Sequence, residues 1–177
     1  MTVVLSGRSF GSLTAPIKRE IAKVVNQTAE AIRADAVVRI QSGPKTGKTY
    51  RRGAVKRTVK EGGKRAGQLA AMGLKGVTAD SKTTFVTGYK LHQASAPGQA
   101  PATDLGNLAG SIQTQKTGPL EAEVVVGAEY GEVLETGSID GTLKPRPFLT
   151  PSVEAAADSF YDGLAQALSG ATEVGTP

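Results

Sequence analysis

The chain has 177 residues and a mass of 18.2 kDa, enough for one domain with a sizeable core, and its apolar runs, such as Val124–Val126, are far too short to cross a bilayer. Zero cysteines and one histidine, His92, exclude disulfide frameworks, thiol nucleophiles and the usual Cys/His zinc cages, so we expect no cofactor and no enzymatic activity. The net charge of +5 is unevenly spread, with 18 Lys/Arg against 5 Asp/Glu in residues 1–103 and 3 against 11 in residues 104–177.

The N-terminal part of the chain predicts a long helix without a leader before it. Residues 1–10 lack the basic start, long apolar run and cleavage site of a secretory signal, so we expect a protein made and used in a cytoplasm. Over residues 15–41 apolar side chains recur at helical spacing, with most charges on the opposite side. Thr14 and Pro16 suit the start of an amphipathic helix, and Gly43 suits its end.

The densest charge follows this helix, in residues 45–65, which carry nine Lys/Arg and one acid, Glu61. Such a run is typical of a solvated segment, of a contact with a phosphate backbone, or of an arm that docks on an acidic surface of a neighbouring subunit. Tyr50 is its only aromatic residue, so a nucleic-acid contact should be sequence-nonspecific and salt-sensitive. The nine basic residues are Lys45, Lys48, Arg51, Arg52, Lys56, Arg57, Lys60, Lys64 and Arg65.

The region after the helix is predicted to be an insertion. Residues 43–80 contain few large apolar side chains and many glycines, so we predict no clear element there, although Leu69–Met72 could form a helical turn. We interpret residues 44–91 as an insertion in a single domain of residues 1–170, with a basic loop over 45–65. A short strand is predicted over residues 83–89.

The C-terminal half predicts the rest of the fold. Residues 94–103 are typical of an extended loop, and Asp104 suits the cap of a following helical turn. Residues 111–127 predict a hairpin with apolar and acidic side chains on opposite faces. A final amphipathic helix is predicted over residues 150–169, followed by a flexible tail, 171–177. These elements predict an α+β fold, an antiparallel sheet flanked by a long N-terminal and a C-terminal amphipathic helix, with a long basic loop insertion.

The segment Gly43–Thr49 resembles a phosphate-binding P-loop but departs from it in three ways. Its glycine spacing is one residue short, it follows a helix instead of a strand, and Pro44 lacks the N–H that a phosphate would need. We therefore expect no nucleotide binding.

Five segments occur in a characteristic order, with an amphipathic helix predicted at each end: Ser42–Gly53, His92–Ala102, Thr103–Ile112, Tyr130–Gly137 and Pro145–Pro151. In this order they resemble the tail-completion, or head-to-tail joining, family of neck proteins in long-tailed bacteriophages and prophages. Two features depart from the family pattern: residues 54–91 intervene between the first two segments, and Leu105 replaces a usual polar residue.

The resemblance implies a structural virion protein. It implies a homo-oligomeric ring, expected to be six-fold, that completes the tail and joins it to the head connector around the DNA channel. Its partners would be the connector or stopper protein and the tail tube protein, with nonspecific contact to genomic DNA in the channel and none with a membrane. Its place would be the virion neck or tail, and the host cytoplasm during assembly.

Two further hypotheses come from the residues themselves. The uneven charge suits head-to-tail association of identical chains into a closed ring. The alternative is a sequence-nonspecific nucleic-acid-binding protein that uses residues 45–65.

An acid-rich turn between the hairpin and a proline-rich linker is a candidate contact surface. We expect Tyr130, Glu132 and Glu135 at or near a subunit interface, because this turn leads into the linker that brings back the final helix. The alternative is that the apolar residues of the turn close the core while its acids are solvated. Phe148 and Leu149, between prolines, are predicted to be packing anchors.

Overall fold

A computed structural model of the chain describes residues 1–6, 13–59, 71–72 and 83–169. The chain divides into two compact units, which we call the body, residues 1–48 with 94–177, and the ribbon unit, residues 49–93. The elements in chain order are β1 (Thr2–Ser6), α1 (Ala15–Gln41), β2 (Thr49–Val59), β3 (Thr83–Gln93), α2 (Asn107–Gly110), β4 (Ile112–Gly118), β5 (Glu121–Val126), α3 (Gly131–Thr136) and α4 (Thr150–Ser169). Antiparallel sheets with long N-terminal and C-terminal helices confirm the predicted α+β class.

The body contains a three-stranded antiparallel sheet in the order β1-β5-β4. The predicted hairpin is present as β4 and β5, and alternate residues of β5, Ala122, Val124 and Val126, are buried. β1 adds to the other edge of β5, with Val3 opposite Val124 and Leu5 opposite Ala122. The sequence did not predict β1, because five residues are too few to show a reliable period.

The two long helices have the predicted bounds, and α1 packs against both the sheet and α4. α1 therefore carries an almost continuous buried stripe, Ile21, Val25, Thr28, Ala29, Ile32, Ala36 and Ile40. α4 approaches α1 closely at Gly163, where an added Cβ would lie 3.0 Å from a methyl carbon of Val24. The body core is thus built around one central helix.

Short elements of the body differ in detail from the prediction. α2 begins after Gly106, whose φ of 81° is in the left-handed region, so Gly106 and not Asp104 occupies the N-cap position. The acid-rich turn after the hairpin forms the helix α3. Thr14 occupies the N-cap of α1 but its side chain makes no capping bond, while its carbonyl oxygen accepts the N–H of Lys18.

The ribbon unit is an antiparallel pair of long strands, β2 and β3. β2 corrects the expectation that residues 49–59 lack a regular element, and β3 continues past the predicted strand and includes His92. All described side chains of β2 and β3 are exposed or half-buried. Because neither strand contributes to a core, its sequence does not need the apolar alternation from which a strand is predicted. Strand propensity in β2 comes from Thr, Tyr and Val alone.

Candidate functional site: a loop junction and a basic ribbon

Four segments of the body that are distant in sequence meet in one place, which we call the loop junction: residues 43–48, 94–101, 134–137 and 145–150. The Gly47 N–H donates to the Ala94 carbonyl oxygen at 2.8 Å, and the Ala94 N–H donates to the Lys48 carbonyl oxygen at 3.1 Å. The third and fourth segments join through the Arg146 N–H and the Leu134 carbonyl oxygen at 2.7 Å. Four of the five signature segments therefore contribute to one structure.

Glycine is required in the first of these segments because backbones approach closely. A Cβ at Gly43 would lie 2.6 Å from the Pro101 carbonyl oxygen, and one at Gly47 would collide with the Ser95 carbonyl oxygen. The N–H of Gly47 is already bonded within the protein. The P-loop-like glycines thus serve chain packing in this structure.

Side chains complete the loop junction. The Gln99 Oε1 atom accepts hydrogen bonds from the Thr46 hydroxyl at 2.5 Å and from the Ala96 N–H at 3.2 Å. The Arg146 Nε donates to the Ser95 carbonyl oxygen at 3.2 Å. The Gly98 N–H donates to the Pro145 carbonyl oxygen at 2.8 Å. Polar residues of the signature segments are therefore used in bonds to one another.

Glu135 is the central acid of the loop junction and is only 6% exposed. Its carboxylate accepts three backbone N–H groups, from Phe148 at 2.8 Å, Leu149 at 3.0 Å and Thr150 at 2.8 Å. These N–H groups precede and open α4, where a helix leaves donors unsatisfied and favours negative charge. Glu135 therefore holds the start of α4 in place.

The position of Glu135 corrects its expected role at a subunit interface, because the carboxylate faces the interior. Tyr130 and Glu132 are exposed, as a contact surface requires. Glu132 and Glu135 both belong to α3, but Glu132 is on its exposed side and Glu135 is on its buried side. Phe148 and Leu149 are fully buried, which confirms them as packing anchors. A buried acid of this kind leaves no periodic pattern in the sequence. The available signal is that Glu135 and the Pro-Phe-Leu segment lie in two consecutive signature segments.

The ribbon unit differs from the body in charge. Residues 49–93 carry 10 Lys/Arg against 2 Asp/Glu, a net charge of +8, whereas the body carries 11 against 14, a net charge of −3. The basic excess of the chain thus belongs to one structural unit.

In the described part of the ribbon, each face carries at least one basic side chain and one tyrosine. Residues directly opposite each other in antiparallel strands share a face. One face carries Tyr50, Arg52, Lys90 and His92, and the other carries Arg51, Ala54, Tyr89 and Leu91. The Arg51 guanidinium lies 5.4 Å from the centre of the Tyr89 ring, a cation–π contact. Besides Tyr50, the ribbon therefore carries a second exposed aromatic residue, Tyr89, which lies outside the basic run 45–65.

The nine predicted basic residues fall into three groups. Lys45 and Lys48 belong to the body, and both are exposed. Arg51, Arg52, Lys56 and Arg57 belong to β2, so the expected basic loop is a strand at these positions. Lys60, Lys64 and Arg65 lie outside the described residues.

Two short segments match hydrolase motifs, although the sequence was interpreted above as that of a protein without enzymatic activity. Ser42-Gly-Pro-Lys45 has the SxxK pattern, and the Ser42 hydroxyl donates to the Val38 carbonyl oxygen at 2.7 Å, where it ends α1. Residues 7–11 have the GxSxG pattern and lie outside the described residues. Among the described residues, no three His, Cys, Asp or Glu side chains are grouped as a metal site needs.

The described structure defines an α+β protein with a small antiparallel sheet and a separate basic ribbon. None of the described helices is long and apolar enough to span a membrane. Comparison of the chain with protein-family models, with curated proteins and with solved structures gives no match. Function is therefore inferred from the geometry above and from the resemblance of the signature segments.

Proposed function

We propose that this chain is a structural subunit of the phage neck or tail end. Copies of it form a ring, six-fold by expectation, that completes the tail and joins it to the head connector around the DNA channel. The proposed partners are the connector or stopper protein and the tail tube protein, and the proposed place is the virion, after assembly in the host cytoplasm. No catalytic step is part of this role.

The observation that supports this proposal most is the use of the signature residues. Gly43, Gly47, Gln99 and Glu135 are engaged in bonds and close contacts within the loop junction. Residues used in this way fix the path of the backbone, which is what a subunit of an assembly needs. The segments that carry the resemblance therefore have an architectural purpose that agrees with the family's role.

The separation of charge provides a second support. The body has a net charge of −3 and the ribbon unit one of +8, so each copy offers opposite charges to its neighbours. Association of unlike surfaces produces a ring when the rotation between copies closes. An isolated two-stranded ribbon is at best marginally stable, so contact with a partner would stabilise this one.

The test is imaging of the purified chain, alone and mixed with tail tubes. We expect rings in negative stain, binding of those rings to tube ends, and a sedimentation coefficient that rises with concentration. A chain that stays monomeric at all accessible concentrations and binds no tail end would contradict the proposed function.

A second candidate function is sequence-nonspecific nucleic-acid binding by the ribbon. The specific observation in its favour is that basic side chains share the faces of a two-stranded ribbon with the exposed Tyr50 and Tyr89, a shape that the major groove of B-DNA admits. A monomer that binds duplex DNA with an affinity falling steeply with salt would favour this function. DNA binding that requires prior ring formation would favour the neck protein.

A further inference from the structure

A loop between α3 and the loop junction presents one apolar side chain on a rigid base. The Asp140 carboxylate accepts hydrogen bonds from the hydroxyl of Ser138 at 2.5 Å and from the hydroxyl and N–H of Thr142 at 2.7 and 3.1 Å. The Ser138 N–H donates to the Leu143 carbonyl oxygen at 2.9 Å, which closes the loop. Ile139 is fully exposed. We call residues 138–143 the knob.

A fully exposed isoleucine on such a base is an unusual feature of a protein surface. Its transfer from water to an apolar site is favourable, and a loop already fixed by hydrogen bonds loses little conformational freedom on binding. Energetically important contacts are centred on side chains that fill a desolvated pocket, and a preorganised apolar side chain can serve in this way.

The same body has a groove of about 560 Å³ beside the start of α1 and the turn between β4 and β5. Its apolar part is formed by Ala22, Pro119 and Leu120. Among the described residues, the rest of the lining consists of three cations and one acid: Lys18, Arg19, Lys116 and Glu121. The groove thus pairs an apolar floor with a positive surround, while the knob pairs an apolar side chain with a negative neighbour, Asp140.

The knob and the groove lie toward opposite ends of α1. The groove is lined by residues of the first turns of α1, whereas the knob leads into Pro145, which is bonded to Gly98 in the segment that packs on residues 43–48. At ~1.5 Å per residue, the helix between Ala22 and Gln41 spans roughly 30 Å. A molecule therefore does not place its own Ile139 in its own groove.

We propose that Ile139 of one copy inserts into the groove between Ala22, Pro119 and Leu120 of a second copy, with Asp140 facing its basic rim. The contact is head-to-tail, because unlike surfaces at two ends of the body meet. It identifies one subunit contact of the ring, in addition to any made by the ribbon, and so rests on the proposed function.

The test uses the absence of cysteine from the chain, which makes introduced thiols the only ones present. The double variant Ile139→Cys with Ala22→Cys should give a ladder of covalent oligomers on mild oxidation, reversed by a reducing agent. The matched control is Tyr161→Cys with Ala22→Cys, since Tyr161 is also an exposed apolar residue and lies on α4. We expect no ladder above background from the control.

A second measurement does not depend on cross-linking. Ile139→Asp should weaken self-association at least about tenfold in sedimentation, whereas Tyr161→Asp should not. Unchanged circular dichroism would show that both variants are folded.

Two results would overturn this contact. The first is ring formation by the unmodified chain, together with no covalent ladder from the double variant Ile139→Cys with Ala22→Cys and normal association of Ile139→Asp, which would leave the ring function standing. The second is an intramolecular link between Phe10→Cys and Ala22→Cys, which would show that the chain's own residues 7–12 occupy the groove. A chain that forms no oligomer at all would instead contradict the proposed function itself.

Discussion

The body and the ribbon unit use their polar and basic residues in opposite ways. In the body, the signature-segment residues Gly47, Gln99 and Glu135 contact the protein's own backbone and side chains. In the ribbon, Tyr50, Tyr89, Arg51 and Arg52 keep exposed or half-exposed positions. The signature segments of the body therefore specify a fold, whereas the described side chains of the ribbon are exposed or half-exposed and would be accessible to the proposed partner. Substitutions should accordingly affect stability in one unit and association in the other.

The largest effect on stability is expected from Glu135→Ala. Three buried or half-buried N–H groups at the start of α4 would lose their acceptor, which should lower the free energy of unfolding by about 3–5 kcal/mol. The control is Glu132→Ala on the same helix, where the exposed side chain should contribute within about 0.5 kcal/mol. Urea unfolding measures both, and equal losses in the two variants would contradict the role of Glu135.

A smaller effect is expected from Gly47→Ala. The added methyl group would collide with the Ser95 carbonyl oxygen, so the backbone has to shift, at a cost of about 1–3 kcal/mol. The matched control is Gly88→Ala in the ribbon, where an added Cβ meets no atom within 4 Å and strand propensity favours alanine. Comparable destabilisation by both changes would mean that close packing does not distinguish the two units.

Charge reversal in the ribbon should change stability little and association strongly. We expect Arg51, Arg52, Lys56 and Arg57, changed together to Glu, to impair ring formation or the joining of tails to heads while the body keeps its fold. If these residues bind phosphates, the slope of log affinity against log salt should fall by ~0.9 for each phosphate that is no longer neutralised. Sedimentation, DNA titration and infectious yield measure these effects.

A control for this variant separates position from net charge. The pair Lys23→Glu with Lys144→Glu reverses two exposed charges of the body, and the pair Arg51→Glu with Arg52→Glu reverses two of the ribbon. Only the ribbon pair should impair association. Normal infectious yield from the fourfold ribbon variant would show that the ribbon is dispensable.

The smallest effect is a local pH dependence of the knob. Hydrogen bonds from the hydroxyl of Ser138 and from the hydroxyl and N–H of Thr142 lower the pKa of Asp140 from its ordinary 3.8 to about 2. The lowered pKa means that the carboxylate stabilises the loop fully above about pH 4 and that this contribution is lost as the pH falls through about 2. The Thr142 amide resonance should titrate with that midpoint in the wild type and show no titration in Asp140→Asn.

Much of the body could be predicted from periodicity. A helix of 27 residues repeats its apolar stripe often enough to give a clear signal, and the β4–β5 hairpin shows strict alternation on its buried strand. Residues 49–59 could not be assigned in this way, because no described face of β2 is buried deeply enough to impose a pattern. Strands that face water on both sides are defined by their partner strand.

The features of the candidate site likewise fall into those that the sequence predicted and those that it did not. The sequence by itself determined the α+β class, the two long helices, the concentration of positive charge after α1 and the order of the signature segments, because these properties depend on local spacing and composition. Only the tertiary structure decided that Glu135 accepts backbone N–H groups inside the body, that Tyr89 lies against Arg51, and that a knob and a groove lie toward opposite ends of one helix. Each of these depends on residues far apart in the chain. The pairing of β2 with β3 brings Tyr89 to Arg51, and the packing of α1, α4 and the three-stranded sheet sets the others.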